Sequence, residues 1–319
     1  MDVVILGAGA LGSILAAHVT RAGHQVRLIA RGARAEQVER DGLRIRGLVD
    51  LDVRCAVVRA PDTIVSADVF VNTVKTYDSA AALASLGACH PRLAFSVQNG
   101  VVKEDELRAR FGPAAVLGAM ADFSGDLADD GTVDFSRNIG LHLGELDSPR
   151  TSRVEALASA LQGAGITTRA VDDIESLIWS KYCGWVGLML LAVLTRRSTG
   201  EYLQDADAAR VIVQVTRETA RLAHARGTTL VDISPMPVAS ILAGSEDEAV
   251  VVVQQVGVAM AGRAPGHRLS ALQDLMRGRR VELEETVGHA CQAGEALGLD
   301  MPVIRTCYRI AAAVNRGLA

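Results

Sequence analysis

The sequence predicts an α/β fold: an N-terminal doubly wound domain of Rossmann type followed by an all-α C-terminal domain. Three observations carry this prediction. Short apolar runs alternate with helical patterns through the first 170 residues, as in a parallel sheet covered by helices. The chain opens on VVILGAGALG (3–12), four apolar residues running straight into Gly7, Gly9 and Gly12. From residue 173 onward almost no strand pattern remains. The domains expected are 1–170 and 171–319, and a chain of 319 residues, 49% hydrophobic, has material for two cores.

The elements follow in order. VVILG (3–7) reads as a strand. LGSILAAHVTRAG (11–23) has apolar residues at 11, 14, 15, 19 and 22, a helical spacing, and stops at Gly23. HQVRLIA (24–30) is the next strand, and ARAEQVERDG (33–42) a helix with a polar face. ADVFVNTVK (67–75) and RLAFSVQNG (92–100) are strands ending in polar residues, and AAVLGAM (114–120) follows. Strand, helix, strand in succession implies parallel pairing through right-handed crossovers. The stretch 123–144 alternates and reads as antiparallel strands. In the second half, helices are expected at 173–195, 201–226, 235–243, 246–261, 268–297 and 302–316, with Pro302 in a first turn that tolerates it.

Composition excludes several classes. A net charge of −4 and 3% aromatics argue against a nucleic-acid partner. Cys55, Cys89, Cys183, Cys291 and Cys307 form no CxxC pair, and the seven histidines form no HxxxH pair. No metal site is expected; the cysteines read as reduced thiols in a cytoplasmic protein. No secretory signal is visible. The longest apolar run, YCGWVGLMLLAVLT (182–195), has 14 residues. A membrane span needs about 20, so a buried helix is expected. The helices after residue 180 are apolar on several faces, which fits burial within a subunit or in a homodimer.

The glycine turn follows a strand and opens a helix, the context that gives GxGxxG its meaning. Gly7 allows the tight turn, Gly9 lets the backbone approach a pyrophosphate, and Gly12 permits close helix–strand packing. The amides that follow, Ala10 and Leu11 among them, then face the phosphates at the positive end of the helix. The second strand runs into Ala30-Arg31-Gly32-Ala33-Arg34, with no acid until Glu36. A carboxylate there would hold ribose hydroxyls and repel a 2′-phosphate, whereas an arginine fork binds it. The reading is NADP(H), with Arg31 as phosphate ligand and Arg34 as a second candidate; the alternative for each is a solvated arginine. Ligands of open α/β sheets bind beyond the carboxyl ends of the strands. That singles out Lys75 in NTVK (72–75) and Asn99 in VQNG (97–100). Asn99-Gly100 reads equally as a turn pair needing positive φ.

Taken together, GAGALG (7–12), Arg31, TVK (73–75), VQNG (97–100), GELD (144–147), WSK (179–181) and LSALQDLMRGRRVELEE (269–285) resemble the ketopantoate reductase (2-dehydropantoate 2-reductase) family, in order and over nearly the whole chain. The resemblance implies that Gly7, Gly9 and Gly12 bind the pyrophosphate and Arg31 the 2′-phosphate. Lys75 and Asn99 would serve the cofactor, Asn99 also the substrate end. Lys181 would be the general acid, Glu282 its support, and Ser270 the holder of the substrate carboxylate. The implied reaction is hydride transfer from NADPH to the keto carbon of a 2-oxo acid, giving a 2-hydroxy acid. An ammonium beside the carbonyl oxygen suits that chemistry, because negative charge builds there.

The residues alone leave some choices open. Ser270-Ala-Leu-Gln273 has the form of a helix capping box, and Glu284 and Glu285 compete with Glu282. The family carries asparagines four and eight residues after the catalytic lysine; here those positions are Trp185 and Met189. If both face the substrate, they imply a bulkier or less polar oxo acid than ketopantoate; the alternative is that both are core. Two rival functions are a related dehydrogenase acting on a 3-hydroxy acid or an imine, and a non-catalytic NADPH sensor.

Overall fold

The structure, a computed structural model, describes residues 1–318 and divides into two compact units, Met1–Ile174 and Glu175–Ala319. The first unit runs β1 (Asp2–Leu6), α1 (Ala10–Arg21), β2 (Gln25–Ile29), α2 (Gly32–Asp41), β3 (Leu43–Gly47), β4 (Leu51–Val53), β5 (Ala56–Val58), β6 (Ser66–Asn72), α3 (Thr76–Ala84), β7 (His90–Ser96), α4 (Lys103–Phe111), β8 (Gly118–Leu127), β9 (Thr132–Gly144), α5 (Ser152–Gly163) and β10 (Thr168–Ala170). The second runs α6 (Ile174–Thr195), α7 (Thr199–Gln204), α8 (Ala206–Ala225), α9 (Val238–Ala243), α10 (Glu246–Arg263), α11 (Ser270–Met276), a π-helical turn at Glu284–Gly288, α12 (His289–Ala296) and α13 (Pro302–Arg316).

The main sheet has the order β5-β2-β1-β6-β7, and all its pairs are parallel. β1 sits centrally, pairing Val4 with Arg27 of β2 on one side and with Phe70 of β6 on the other. It is buried on both faces, which is why it reads as an unbroken apolar run. Val3 and Ile5 enter one core with Ile14, Leu15, Phe95, Phe135 and Leu141. Val4 and Leu6 enter the other with Phe70, Leu83 and Leu107. A second sheet, β10-β9-β3-β4 with β8 on β9, includes the expected antiparallel pair: β8 and β9 run from Gly118↔Gly144 to Leu127↔Val133. The chain reverses between β2 and β6 around β1, so the crevice outside the carboxyl end of β1 is the topological switch point.

Four expectations need correction. β3 to β5, α5 and β10 were not foreseen; most are three- to five-residue elements without a clear period. The helix expected at 201–226 is two, because Asp205 interrupts it and accepts from the amides of Asp207 and Ala208 to cap α8. The helix expected at 268–297 is broken as well. α11 stops after about two turns at the Arg277–Arg280 cluster, where Gly278 turns left-handed at φ +64°. The capping box at Ser270 does not form: Leu269 holds the cap position, and Ser270 is the first helical residue, exposed. A capping box does form at Ser245 and Glu248, heading α10.

α6 is 22 residues long and apolar enough to cross a membrane by length and composition; 83% of its most apolar 18 residues are buried inside the protein. Helices of the second unit cover it. Ile212 of α8 lies against Gly187, Met236 against Gly184, and Tyr202 of α7 donates to the Leu188 carbonyl.

Candidate active site

In the first unit the candidate residues begin at the glycine turn. A Cβ on Gly12 would sit 2.0 Å from the Gly7 carbonyl oxygen and 2.5 Å from Thr73 Oγ1, so the helix start packs directly on the turn. Gly7 takes φ +108°, and its own Cβ would press on Thr73 and Val74. Gly9 is the opposite case: it is exposed, extended, and nothing lies within 4 Å of where its Cβ would be. That open surface lies at the start of α1, where the amides of Ala10, Leu11 and Gly12 are the groups that could hold a pyrophosphate. α1 has no acidic residue in its first turn to compete for it.

Neighbouring loops hold the turn. Thr73 Oγ1 donates to the carbonyls of Leu6 (3.0 Å) and Gly7 (2.9 Å). Arg34 donates from Nε to the Ala8 carbonyl (2.9 Å), from Nη2 to Ser13 Oγ (2.8 Å), and from Nη1 to the Gly131 carbonyl (2.9 Å) and Gln37. Ser13 in turn donates to the Ala8 carbonyl. Arg34 is thus a half-buried strut under the turn rather than a second phosphate ligand, and burial lowers its pKa from the ordinary arginine value.

Arg31 is the residue that caps α2 at the carboxyl end of β2, and its side chain is 83% exposed. The sequence shows no acid near it, yet the fold supplies one. Asp78, in the first turn of α3, lies 3.1 Å from Arg31 Nη2. No local signal announces this contact, since 47 residues separate the pair. It follows only from the strand order, which sets β2 and β6 on either side of β1.

Lys75 and Asn99 stand at the carboxyl ends of β6 and β7, both half-buried. A buried amide network fixes their loops. Asn72 Nδ2 donates to Ser79 Oγ (3.0 Å) and Gln98 Oε1 (3.2 Å), and Gln98 Nε2 donates to the Val74 carbonyl (2.9 Å). Ser79 Oγ donates to Glu106 (2.5 Å), tying α3 to α4. Gly100 takes φ +98°, so Asn99-Gly100 does form the positive-φ turn. Asn72, Thr73 and Gln98 are positioning residues that motif reading did not separate from Lys75 and Asn99.

In the helical unit, Lys181 is half-buried on α6. Its neighbour Tyr182 donates to the Thr286 carbonyl (2.8 Å), and Thr286 Oγ1 donates to the carbonyl of Glu282. The fold therefore brings the segments of Lys181 and Glu282 together, with Glu282 half-buried just before the π-helical turn. Glu284, one of the competing carboxylates, is instead exposed and accepts from Tyr308. On the same helix, Trp179 packs edge-on to Tyr182 and lies under the Arg226 guanidinium, and Ser180 Oγ accepts from the Val231 amide. Trp185 and Met189, one and two turns beyond Lys181, are buried, Met189 with no exposed surface at all. That burial suits a helix core and the wall of an enclosed pocket alike. Ser270, exposed at the start of α11, is not drawn to Glu282 by any shared helix.

Burial pushes Cys55 and Cys291 up to about 11 and raises Cys89, Cys183 and Cys307 as well, which disfavours the thiolate form.

Sequence patterns described as Ketopantoate reductase PanE/ApbA match residues 3–148, and those described as Ketopantoate reductase PanE/ApbA C terminal match residues 173–315. The chain belongs to the ketopantoate reductase family. Among proteins of that family, 2-dehydropantoate 2-reductase of Archaeoglobus fulgidus is 31% identical, over 99% of this chain and 98% of that one. A crystal structure of a PanE/ApbA family ketopantoate reductase from Ralstonia eutropha JMP134 superposes with a TM-score of 0.83 at 26% identity, covering 100% of this chain and 99% of that one. The fold of D-mandelate dehydrogenase, solved as a ternary complex with NADH and anilino(oxo)acetate, is also shared: TM-score 0.85, 19% identity, 100% and 99% coverage. The first of these patterns covers Gly7 to Asn99 and the second Lys181 to Glu282.

Proposed function

We propose that the chain is an NADPH-dependent reductase of a 2-oxo acid, giving the 2-hydroxy acid, and that its substrate differs from ketopantoate. The observation that carries the reading is the open glycine cradle at Gly9, carried on a chain of this family that keeps Lys181 and Glu282. A nicotinamide bound there supplies the hydride for the keto carbon.

The remaining work falls to this chain's own residues. Amides of Ala10, Leu11 and Gly12 hold the pyrophosphate, and Arg31 meets the 2′-phosphate. Lys75 and Asn99 position the rest of the cofactor, Asn99 also the substrate end. The Lys181 ammonium donates to the keto oxygen and gives up its proton as charge builds there. Glu282 orients the lysine, and the Ser270 hydroxyl donates to the substrate carboxylate. At 185 and 189 no amide is present to meet a hydroxylated substrate, which favours a less polar oxo acid. The first unit is then the cofactor domain and the second the substrate domain.

A homodimer through the helical unit is part of the same reading, supported by Val251 and Val258, which lie two turns apart on α10 and are 51% and 60% exposed. Light scattering tests it. Cytoplasmic location is favoured by the five free thiols.

The decisive experiment follows absorbance at 340 nm with ketopantoate beside aliphatic and aromatic 2-oxo acids, 3-oxo acids and imines. Turnover of less polar 2-oxo acids, with ketopantoate slow, supports the proposal. Turnover of imines or 3-oxo acids alone, or NADPH binding with no turnover, replaces it with one of the rival functions.

A further inference from the structure

We infer that Asp78 is a specificity-determining residue for the cofactor: the counter-ion that Arg31 exchanges for a 2′-phosphate, and an acceptor for the ribose 2′-hydroxyl when the phosphate is absent. The inference rests on the reading that the glycine turn holds a nicotinamide dinucleotide.

Arg31 leaves the carboxyl end of β2, and Asp78 lies in the first turn of the helix that follows β6. These strands flank β1 on opposite sides. The 3.1 Å ion pair therefore bridges the loops on either side of the strand that ends in the glycine turn. Both partners remain open to solute, Arg31 at 83% and Asp78 at 43% side-chain exposure. An exposed pair of this kind is weakly held, so a ligand group can displace it.

The two forms of the cofactor meet this pair differently. A 2′-phosphate carries close to two negative charges at neutral pH. It gains the Arg31 fork but must face the Asp78 carboxylate. A 2′-hydroxyl brings no charge and can donate to that carboxylate, the role an acid at the end of the second strand plays in NAD-binding folds. Here the acid arrives from α3 instead. A site holding both groups discriminates less between NADPH and NADH than its arginine alone would. Two charges about 5 Å apart in a water-like medium, one of them a phosphate, change relative affinity roughly tenfold.

Asp78 also stands where a carboxylate favours the start of α3. Loss of that role would weaken both nucleotides alike, so the ratio of their affinities separates the two. The test is fluorescence titration of the full chain with NADPH and with NADH, for wild type, Asp78→Asn, Asp78→Ser, Asp78→Glu and Arg31→Ala. The expected result is binding of both nucleotides by wild type and a rise of about tenfold in the NADPH:NADH affinity ratio for Asp78→Asn and Asp78→Ser. Asp78→Glu should keep the wild-type ratio, and Arg31→Ala should lower it. A ratio unchanged within about twofold in both neutral variants, from proteins that fold and bind, overturns the role of Asp78 alone. Binding of neither nucleotide by wild type overturns the functional reading and this inference with it.

Discussion

Gly9→Ala and Gly12→Ala, three residues apart, should fail in different ways. Gly9 has φ −70° and ψ −169°, which any residue adopts, and an added Cβ meets nothing within 4 Å. It is the N-cap of α1, where alanine is worse than glycine by up to about 1 kcal/mol. Alanine also lowers the entropy of the unfolded chain, by about 0.4–1 kcal/mol in the opposite sense. The two offset, and unfolding free energy should change by less than about 0.5 kcal/mol. The new methyl, however, stands in the cradle itself, and NADPH should bind at least about tenfold more weakly, a loss near 1.4 kcal/mol. In Gly12→Ala the Cβ would lie 2.0 Å from a backbone oxygen and 2.5 Å from Thr73. The helix must retreat by more than an ångström, which costs about 1–3 kcal/mol as overpacking and moves the α1 amides as well. Urea unfolding read beside NADPH fluorescence titration measures both quantities. Full-strength NADPH binding by folded Gly9→Ala, or wild-type stability of Gly12→Ala, would refute the reasoning.

Other expectations follow from the same geometry. Arg34→Ala strips the carbonyls of Ala8 and Gly131 of a charged donor; it should cost about 1.5–3 kcal/mol in urea unfolding and weaken NADPH and NADH equally. Lys181→Ala should lower kcat by about 10²–10⁴ while leaving NADPH affinity unchanged, read by steady-state kinetics beside titration. Met189→Asn should destabilise by about 1–3 kcal/mol, because an amide would be buried without a partner; a thermal melt identical to wild type would show that the position opens onto a pocket. Glu145 is held below its ordinary value of 4.5, first by the hydrogen bonds from Arg153 and also by Thr151, against the opposing effect of burial. A depressed carboxyl stabilises the fold above its unfolded value, and that contribution is lost as pH falls through the folded one. The stability gap between wild type and Glu145→Gln should therefore be full at neutral pH and close as pH drops below 4.5, in urea titrations across that range.

The parts of this fold that could be read in the sequence are those where one physical demand dominates. β1 is apolar on both faces because both cores need it, and α1 shows apolar residues at helical spacing, filled in by small residues along a stretch buried from Gly12 to Val19. α6 and α13 likewise lie where periodicity and Pro302 put them. Elements that depend on partners were not legible. β3 gains its place by pairing with Thr132–Phe135 far along the chain, and the break after α11 answers a cluster of arginines beside Gly278 rather than any loss of helical period. The site divides in the same way. Gly7 and Gly12 were readable because a positive φ and a close contact exclude other residue types there, and Gly9 because the GxGxxG spacing places it between them. The role of Arg34 and the presence of Asp78 were not, because each is defined by a contact that only the crossing of strands creates.

The helix of Lys181 also bears on the order in which the protein is made. α6 is covered by side chains that lie later in the chain: Tyr202, Ile212, Met236 and the turn at Thr286. On the ribosome the first unit has all of its strands once β10 has emerged, and domains synthesised first fold first. α6 comes next, the one helix among the described residues long and apolar enough to cross a membrane. Residues up to α13 need roughly a further 6–25 s of synthesis at ordinary rates. For that interval the helix carrying Lys181 has no complete cover, and it is the segment a chaperone would hold.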